Sequence, residues 1–196
     1  MKSVSVFRAK LTRVSILAAF ALTTFALALA TAGSANAALS SQNERYEDAQ
    51  VRFDHPAGWT VAPAQDVSAE LALKLDPPSG SGLSSALVLI GAKKIAESEL
   101  ESASAAWHSA HVRNRAAWGM KMSGGLPREP VTIGGRRALR YRDRVGSSLG
   151  AADQLFTCTL VGARLCCVLA TATPDARPTA DALTATVLSS LSLHKK

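Results

Sequence analysis

The fold is decided by residues 155–173, which have the sequence LFTCTLVGARLCCVLATAT. Two apolar runs flank Gly162-Ala163, which suits a two-residue turn between antiparallel strands. In that register one face carries three opposed apolar pairs, namely Leu160 with Leu165, Cys158 with Cys167, and Phe156 with Leu169. Because a slip of one residue would break this agreement, the stretch predicts a β-hairpin of defined register.

Strands and short turns also dominate the sequence before this hairpin. Residues 131–133 and 136–145 flank Gly134-Gly135, and paired glycines allow the positive φ of a tight turn, so a second hairpin is predicted. Apolar runs predict further strands at residues 51–54, 59–61, 69–75 and 86–92. The last of these is apolar throughout, which is typical of a central strand covered on both faces.

Two helices complete the predicted fold. Ser98 is a candidate N-cap for a helix that ends before Gly119, and residues 178–190 form a second helix with Pro178 near its start. We therefore expect a single α+β domain over residues 49–193, with an antiparallel β-sheet flanked by helices. A flexible lead-in is expected at residues 38–48 and a short tail at residues 194–196.

The first 37 residues have the three-part pattern of a cleavable signal peptide. Four basic residues and no acidic one accompany an apolar run over residues 14–30, and Ala35-Asn36-Ala37 follows as a small-x-small site. We expect cleavage between Ala37 and Ala38, and a periplasmic or secreted protein without a lipidation cysteine. The alternative is an uncleaved anchor, although spanning helices usually need about 20 apolar residues.

Removal of this leader changes the charge of the protein. The full chain has a formal net charge of +7, and loss of the four leader bases lowers it to +3. The high proportion of basic residues is therefore partly a property of the leader, and nucleic-acid binding is not indicated. After cleavage no transmembrane anchor is expected.

The three cysteines, Cys158, Cys166 and Cys167, all lie after the leader, where an oxidising compartment permits a disulfide. The hairpin register places Cys158 opposite Cys167, and a disulfide between them is one hypothesis. Directly opposed strand positions strain such a bridge, so two buried thiols are the alternative. A bridge between Cys166 and Cys167 is disfavoured because neighbouring strand residues point to opposite faces.

Residues 146–150 have the sequence GSSLG and match the Gly-x-Ser-x-Gly motif of hydrolases. In those enzymes the serine lies on a sharp turn between a strand and a helix. Here the motif is expected between two antiparallel strands, and His194 is the only histidine that follows it. We therefore predict no catalytic residue and favour binding over catalysis, with a small envelope hydrolase using Ser148 as the alternative.

Two histidines, His108 and His111, are three residues apart on the first predicted helix and can share one face. Metal sites use this spacing, but they need at least one further protein ligand. No third ligand can be assigned from the sequence, so packing or surface histidines are favoured. We predict no metal site and no cofactor.

Basic residues are concentrated between positions 113 and 144, where nine Lys and Arg residues stand against two acidic ones. Strand alternation places Arg140, Arg142 and Arg144 on one face. With Arg136 they are predicted to meet an unidentified envelope protein or an anionic lipid or glycan, since guanidinium groups bind oxyanions well. The alternative is a solvated face with ion pairs to the acidic cluster at residues 97–101.

The order of these features resembles the PsbP-like fold family. The residues that carry the resemblance are an FDHPAGW entry (residues 53–59), a Gly-Gly hairpin leading to an Arg-Tyr strand (134–141), and a last strand and helix from residue 167. The resemblance covers residues 49–193 and implies an antiparallel sheet with helices on both faces. Members include exported bacterial domains of unknown function, and the family implies a non-enzymatic binding or assembly module without fixing its partner.

Overall fold

The computed structural model describes residues 42–66, 69–117, 120–123, 128–147 and 150–194. Within these ranges the strands are β1 (Asn43–Glu47), β2 (Val51–Pro56), β3 (Thr60–Ala64), β4 (Leu71–Asp76), β5 (Leu83–Lys94), β6 (Lys121–Ser123), β7 (Glu129–Ile133), β8 (Arg136–Ser147), β9 (Gly150–Val161), β10 (Arg164–Ala172) and β11 (Ser192–Leu193). The helices are α1 (Leu100–Ala117) and α2 (Arg177–Ser190), and a short 3₁₀ turn precedes each. The expected leader, residues 1–37, lies outside the described residues.

Two antiparallel sheets contain all of these strands. The large sheet has eight strands in the order β3-β4-β5-β10-β9-β8-β6, with β7 also paired to β8. The small sheet has the order β1-β2-β11. This arrangement confirms the predicted α+β class, because the strands are antiparallel and the helices lie outside the sheet. No helix of the described ranges has both the length and the hydropathy that a membrane span requires.

Both predicted hairpins are present. The β9–β10 register pairs Leu160 with Leu165, Cys158 with Cys167, and Phe156 with Leu169, as the apolar pattern predicts. Gly162 and Ala163 both have positive φ, which is the conformation of the tight turns that join twisted strands. In the β7–β8 turn, a Cβ on Gly134 would lie 2.9 Å from the Ser189 Cα atom, so glycine is required there.

The large sheet has an apolar core on each face. Alternate residues of β10 divide between them: Val168 and Ala170 face α2 and the small sheet, whereas Cys167 and Leu169 face α1. Strand β5 lies between β4 and β10, and its residues 88–90 are buried on both faces, which confirms the predicted central strand. The two faces together hold the sheet between α1 on one side and α2 on the other.

The two helices are buried to different degrees. Five residues of α2 are buried: Ala180, Leu183, Thr184, Val187 and Leu188. In the described part of α1 only Leu100 and Ser104 are buried, although the helix has 18 residues. The remaining contacts of α1 are therefore made by half-buried side chains, and these include its two histidines.

Part of the expected lead-in is a strand. Residues 43–47 form β1 and pair with β2, where a flexible segment was expected over residues 38–48. The Tyr46 ring packs on Phe53 with centroids 5.2 Å apart, and Arg45 Nε lies 2.8 Å from Asp54 Oδ1. The flexible assignment is wrong for this segment because backbone pairing and these two contacts hold a mainly polar sequence in place.

Candidate functional site

Two histidines of α1 bind neighbouring strands of the large sheet. His108 Nε2 lies 2.6 Å from Asp143 Oδ2 in β8, and His111 Nε2 lies 3.0 Å from Gln154 Oε1 in β9. Asp143 and Gln154 are directly paired on the neighbouring strands β8 and β9. Histidines about one helical turn apart on α1 therefore reach adjacent strands. The Gln154 Nε2 amide also donates to Thr171 Oγ1 at 3.2 Å. The predicted common face of the two histidines is confirmed.

Aromatic rings fix both imidazoles. The His108 ring stacks on Tyr141 with centroids 4.3 Å apart, and the His111 ring stacks on Phe156 at 5.9 Å. Asp143 is only 6% exposed, so its carboxylate needs a partner, and His108 provides one. The two histidines therefore fasten α1 to the sheet through part-buried polar contacts.

The same geometry bears on metal binding. Each imidazole Nε2 is directed to its own acceptor, so the two nitrogens do not converge on a common centre. In the ranges that the structure describes, no group of three or more His, Cys, Asp or Glu residues is placed to hold a metal ion. These contacts favour a packing role for both histidines.

Burial gives His111 a distinct titration behaviour. Desolvation lowers the pKa of His111 below its usual value of 6.5, and the charges of Arg115 and His108 act in the same direction. The Gln154 hydrogen bond and the Asp143 charge oppose this effect but do not overcome it. The fold therefore favours the neutral imidazole of His111.

This preference predicts that acid weakens the fold through His111. Because the folded-state pKa lies below the unfolded value, the stabilisation is complete above about pH 6.5 and is lost as the pH falls below it. In His111→Gln, a neutral group that does not titrate remains next to Gln154. The free energy of unfolding should therefore fall less between pH 7.5 and 5.5, a range of about two pH units around the usual histidine pKa, than it does in the wild type. Urea unfolding at both pH values checks this, and equal falls in the two proteins would contradict it.

A narrow cleft lies beside the C-terminal half of α1. It is lined by Asp66, Leu89, Trp107, His111, Asn114 and Phe156. The Trp107 ring rests on β5, where a Cβ on Gly91 would lie 3.3 Å from its Cζ2 atom. Among these lining residues there is a carboxylate and an imidazole but no hydroxyl or thiol, so the cleft offers no nucleophile of the serine or cysteine type.

The Gly-x-Ser-x-Gly motif occupies the connection predicted for it. Strand β8 ends at Ser147 and β9 begins at Gly150, and these two strands are antiparallel neighbours. Ser148 lies outside the described residues. His194, the only histidine after the motif, lies with its Nε2 atom 3.6 Å from Glu47 Oε1 in β1. The connection therefore differs from the strand-to-helix turn of hydrolases.

The cysteines lie in the middle of the β9–β10 hairpin. Cys158 and Cys167 are opposed, with Cα atoms 4.1 Å apart, and the structure joins them in a disulfide. Cys166 is buried on the other face, and its Sγ atom lies 3.6 Å from the Arg164 carbonyl oxygen. Burial raises the pKa of the Cys166 thiol to about 12, which leaves it protonated and unreactive in the folded protein.

All four predicted partner-binding arginines have partners within the protein, and two of them, Arg136 and Arg140, bind α2. Arg136 Nη1 donates to the Leu188 carbonyl at 3.0 Å, and so satisfies an acceptor at the C-terminal end of α2. Arg140 Nη1 lies 3.1 Å from Asp181 Oδ1 in α2, and its side chain is only 13% exposed. These two residues join β8 to α2, and both are half-buried.

The other two arginines lie further along β8 and closer to solvent. Arg142 is 24% exposed and shares Asp181 with Arg140, at 3.5 Å, while its Nε atom lies 3.6 Å from Glu129. Arg144 is 60% exposed, and its Nε atom lies 3.7 Å from Asp153 Oδ1. The expected common face of the strand arginines is confirmed, but their partners differ from the acidic cluster at residues 97–101.

One further arginine joins this group from α2. Arg177, the first residue of the helix, donates from both Nε and Nη2 to Asp153 Oδ2, with the Nε contact at 3.0 Å. Asp153 is thus shared by Arg144 and Arg177. Residue patterns could not reveal this contact, because it depends on where the helix packs. Glu101, in the acidic cluster at residues 97–101, pairs with Arg128 and not with the arginines of β8 at positions 140, 142 and 144.

Comparison with known proteins identifies the fold. No protein-family model matches the sequence, and no curated protein matches it. The chain is similar to the solution structure of cyanobacterial PsbP (CyanoP) from Synechocystis sp. PCC 6803, with a TM-score of 0.53 and 17% identity, over 83% of this chain and 99% of that chain. It is also similar to a crystal structure from Bacteroides thetaiotaomicron VPI-5482, with a TM-score of 0.53 and 11% identity, over 79% of this chain and 50% of the other. The fold is therefore PsbP-like.

Proposed function

We propose that this chain is an exported, non-catalytic binding module that meets an anionic partner at the outer end of β8. Export is inferred from the leader pattern of residues 1–37. The main support for this binding site is that arginine exposure increases along β8. The side chains at positions 140, 142 and 144 are 13%, 24% and 60% exposed. The part of β8 near Arg140, its inner end, contributes to the packing against α2, and the part near Arg144, its outer end, presents charge to solvent.

The local charge balance supports this proposal. Four arginines meet three carboxylates where β8 faces α2, and they are Arg140, Arg142, Arg144 and Arg177 against Glu129, Asp153 and Asp181. Because the number of cations exceeds the number of carboxylates, an anion that approaches this surface meets a net positive charge. A surface with a net positive charge attracts negatively charged partners and speeds their association.

Binding to anionic vesicles tests this function. The purified protein should co-sediment with vesicles that contain phosphatidylglycerol and should not co-sediment with phosphatidylcholine vesicles, because the attraction depends on charge. Binding should be lost at about 1 M salt, where the Debye length is about 3 Å. Equal binding to both kinds of vesicle, or binding that is insensitive to salt, would contradict the proposal.

A further inference from the structure

We infer that Arg144 and Arg177 form a paired-guanidinium site for a phosphate group. The inference rests on the proposed function and assigns its contact point to two side chains. One belongs to the outer end of β8, and the other belongs to the first turn of α2. The ligand class is a phosphate or phosphate ester, whether as a free ion or as a lipid headgroup.

The shared carboxylate beneath the pair organises it. Asp153 has only 10% of its side chain exposed, whereas Arg144 and Arg177 are 60% and 42% exposed. Each Asp153 oxygen is used by a different arginine, Oδ1 by Arg144 and Oδ2 by Arg177. A largely buried carboxylate is thus shared by two partly exposed cations, and this shared contact lowers the entropic cost of bringing both to one oxyanion.

The charges and the chemistry both suit a phosphate. The two guanidinium groups carry two positive charges around the single carboxylate of Asp153. The next carboxylate along the surface, Asp181, is bound by Arg140 and Arg142. Guanidinium groups present planar, forked donors that match phosphate oxygens better than an ammonium group does. Two such groups on one surface can contact different oxygens of one phosphate.

The test compares two double variants with the same change in net charge. Arg144→Gln/Arg177→Gln removes the pair, and Arg52→Gln/Arg113→Gln removes two exposed arginines from β2 and α1. The probes are inorganic phosphate, phosphatidylglycerol vesicles and a poly-glutamate peptide. Each arginine of the pair should contribute about fivefold to binding, so the first variant should lose about 25-fold and the control should lose little.

The outcomes distinguish failure of the phosphate site from failure of the proposed anion-binding function. Loss of inorganic phosphate binding in the Arg144/Arg177 variant supports the site with a free ion, and loss of vesicle binding alone supports it with a lipid headgroup. Binding that survives in this variant, or falls equally in the control, overturns the site while the proposed function stands. Binding of poly-glutamate only would overturn the phosphate class, and a wild-type protein that binds none of the probes would refute both.

Arg177 also contacts the buried Asp153, so stability is measured in parallel. If the glutamine variant does not fold, Arg144→Lys/Arg177→Lys replaces it, since lysine keeps the charge next to Asp153 but lacks the forked donor. We expect this variant to bind inorganic phosphate about fivefold more weakly than the wild type. Unchanged phosphate affinity in the lysine variant would also overturn the site.

Discussion

Replacement of His108 by alanine is expected to lower the free energy of unfolding by about 3–5 kcal/mol. The reason is the Asp143 carboxylate, which is buried and lies 2.6 Å from the His108 Nε2 atom. Without the imidazole this carboxylate stays in the protein interior with its partner removed, and the ring stacked on Tyr141 is lost as well. Urea unfolding at neutral pH measures the change.

Two comparisons make this test specific. Ser109→Ala changes an exposed neighbour on the same helix and should alter the free energy of unfolding by less than about 0.5 kcal/mol. In a double-mutant cycle with Asp143→Ala, the combined loss should be smaller than the sum of the single losses, since both changes remove the same contact. A loss below about 1 kcal/mol in His108→Ala, or additive losses in the cycle, would show that the pair does not fasten α1.

Reduction of the disulfide between Cys158 and Cys167 is expected to lower the free energy of unfolding by about 2–3 kcal/mol. The two residues are nine positions apart, and a closed loop of this length restricts the unfolded chain by about that amount. Urea unfolding of the wild-type protein with and without a reductant measures the effect without any change in side-chain volume. In Cys166→Ala the difference between the oxidised and reduced forms should persist, because that thiol is outside the bridge.

Thiol counting gives an independent check of the same bridge. The chain has three cysteines, so denatured, unreduced protein should show one reactive thiol. Folded protein should show none, because burial raises the pKa of Cys166 to about 12 and shields its sulfur from the reagent. Three reactive thiols in the denatured, unreduced protein would mean that the opposed cysteines are two buried thiols instead.

The parts of the fold that the sequence predicts well are those that depend on local pattern. The β9–β10 register follows from three apolar pairs around a two-residue turn, and the structure has that register. Helix α1 is also predicted, from a cap at Ser98 to an end before Gly119, although it begins at Leu100 after a 3₁₀ turn in which Ser98 lies. There the Glu99 carboxylate accepts from the Ala96 backbone N–H at 2.7 Å, so the helix entry does not use the serine as N-cap.

Strand β1 could not be predicted from hydropathy. Its sequence, NERYE, is polar at four of five positions, and most of its side chains are exposed. It is held by backbone pairing with β2 and by Tyr46 on Phe53, which are contacts that become possible only when β2 is already in place. A polar strand at the edge of a small sheet carries no periodic apolar signal.

The candidate sites depend even more on distant contacts. Strand alternation predicts that Arg140, Arg142 and Arg144 share a face, but it does not show that α2 places Asp181 and Arg177 beside them. The separation of His108 from its acceptor is likewise 35 residues in the chain. Such pairs arise from the packing of helices on the sheet, so the residue types were visible in the sequence and their roles were not.

The most direct test of the proposed binding surface is a phosphate titration followed by amide chemical shifts. The shifts should be largest at the outer end of β8 around Arg144 and at the start of α2 around Arg177, and they should shrink at high salt. That result would place an anion at the surface where cations outnumber carboxylates. Shifts confined to α1 and the cleft beside Trp107, or no shifts at all, would contradict the account.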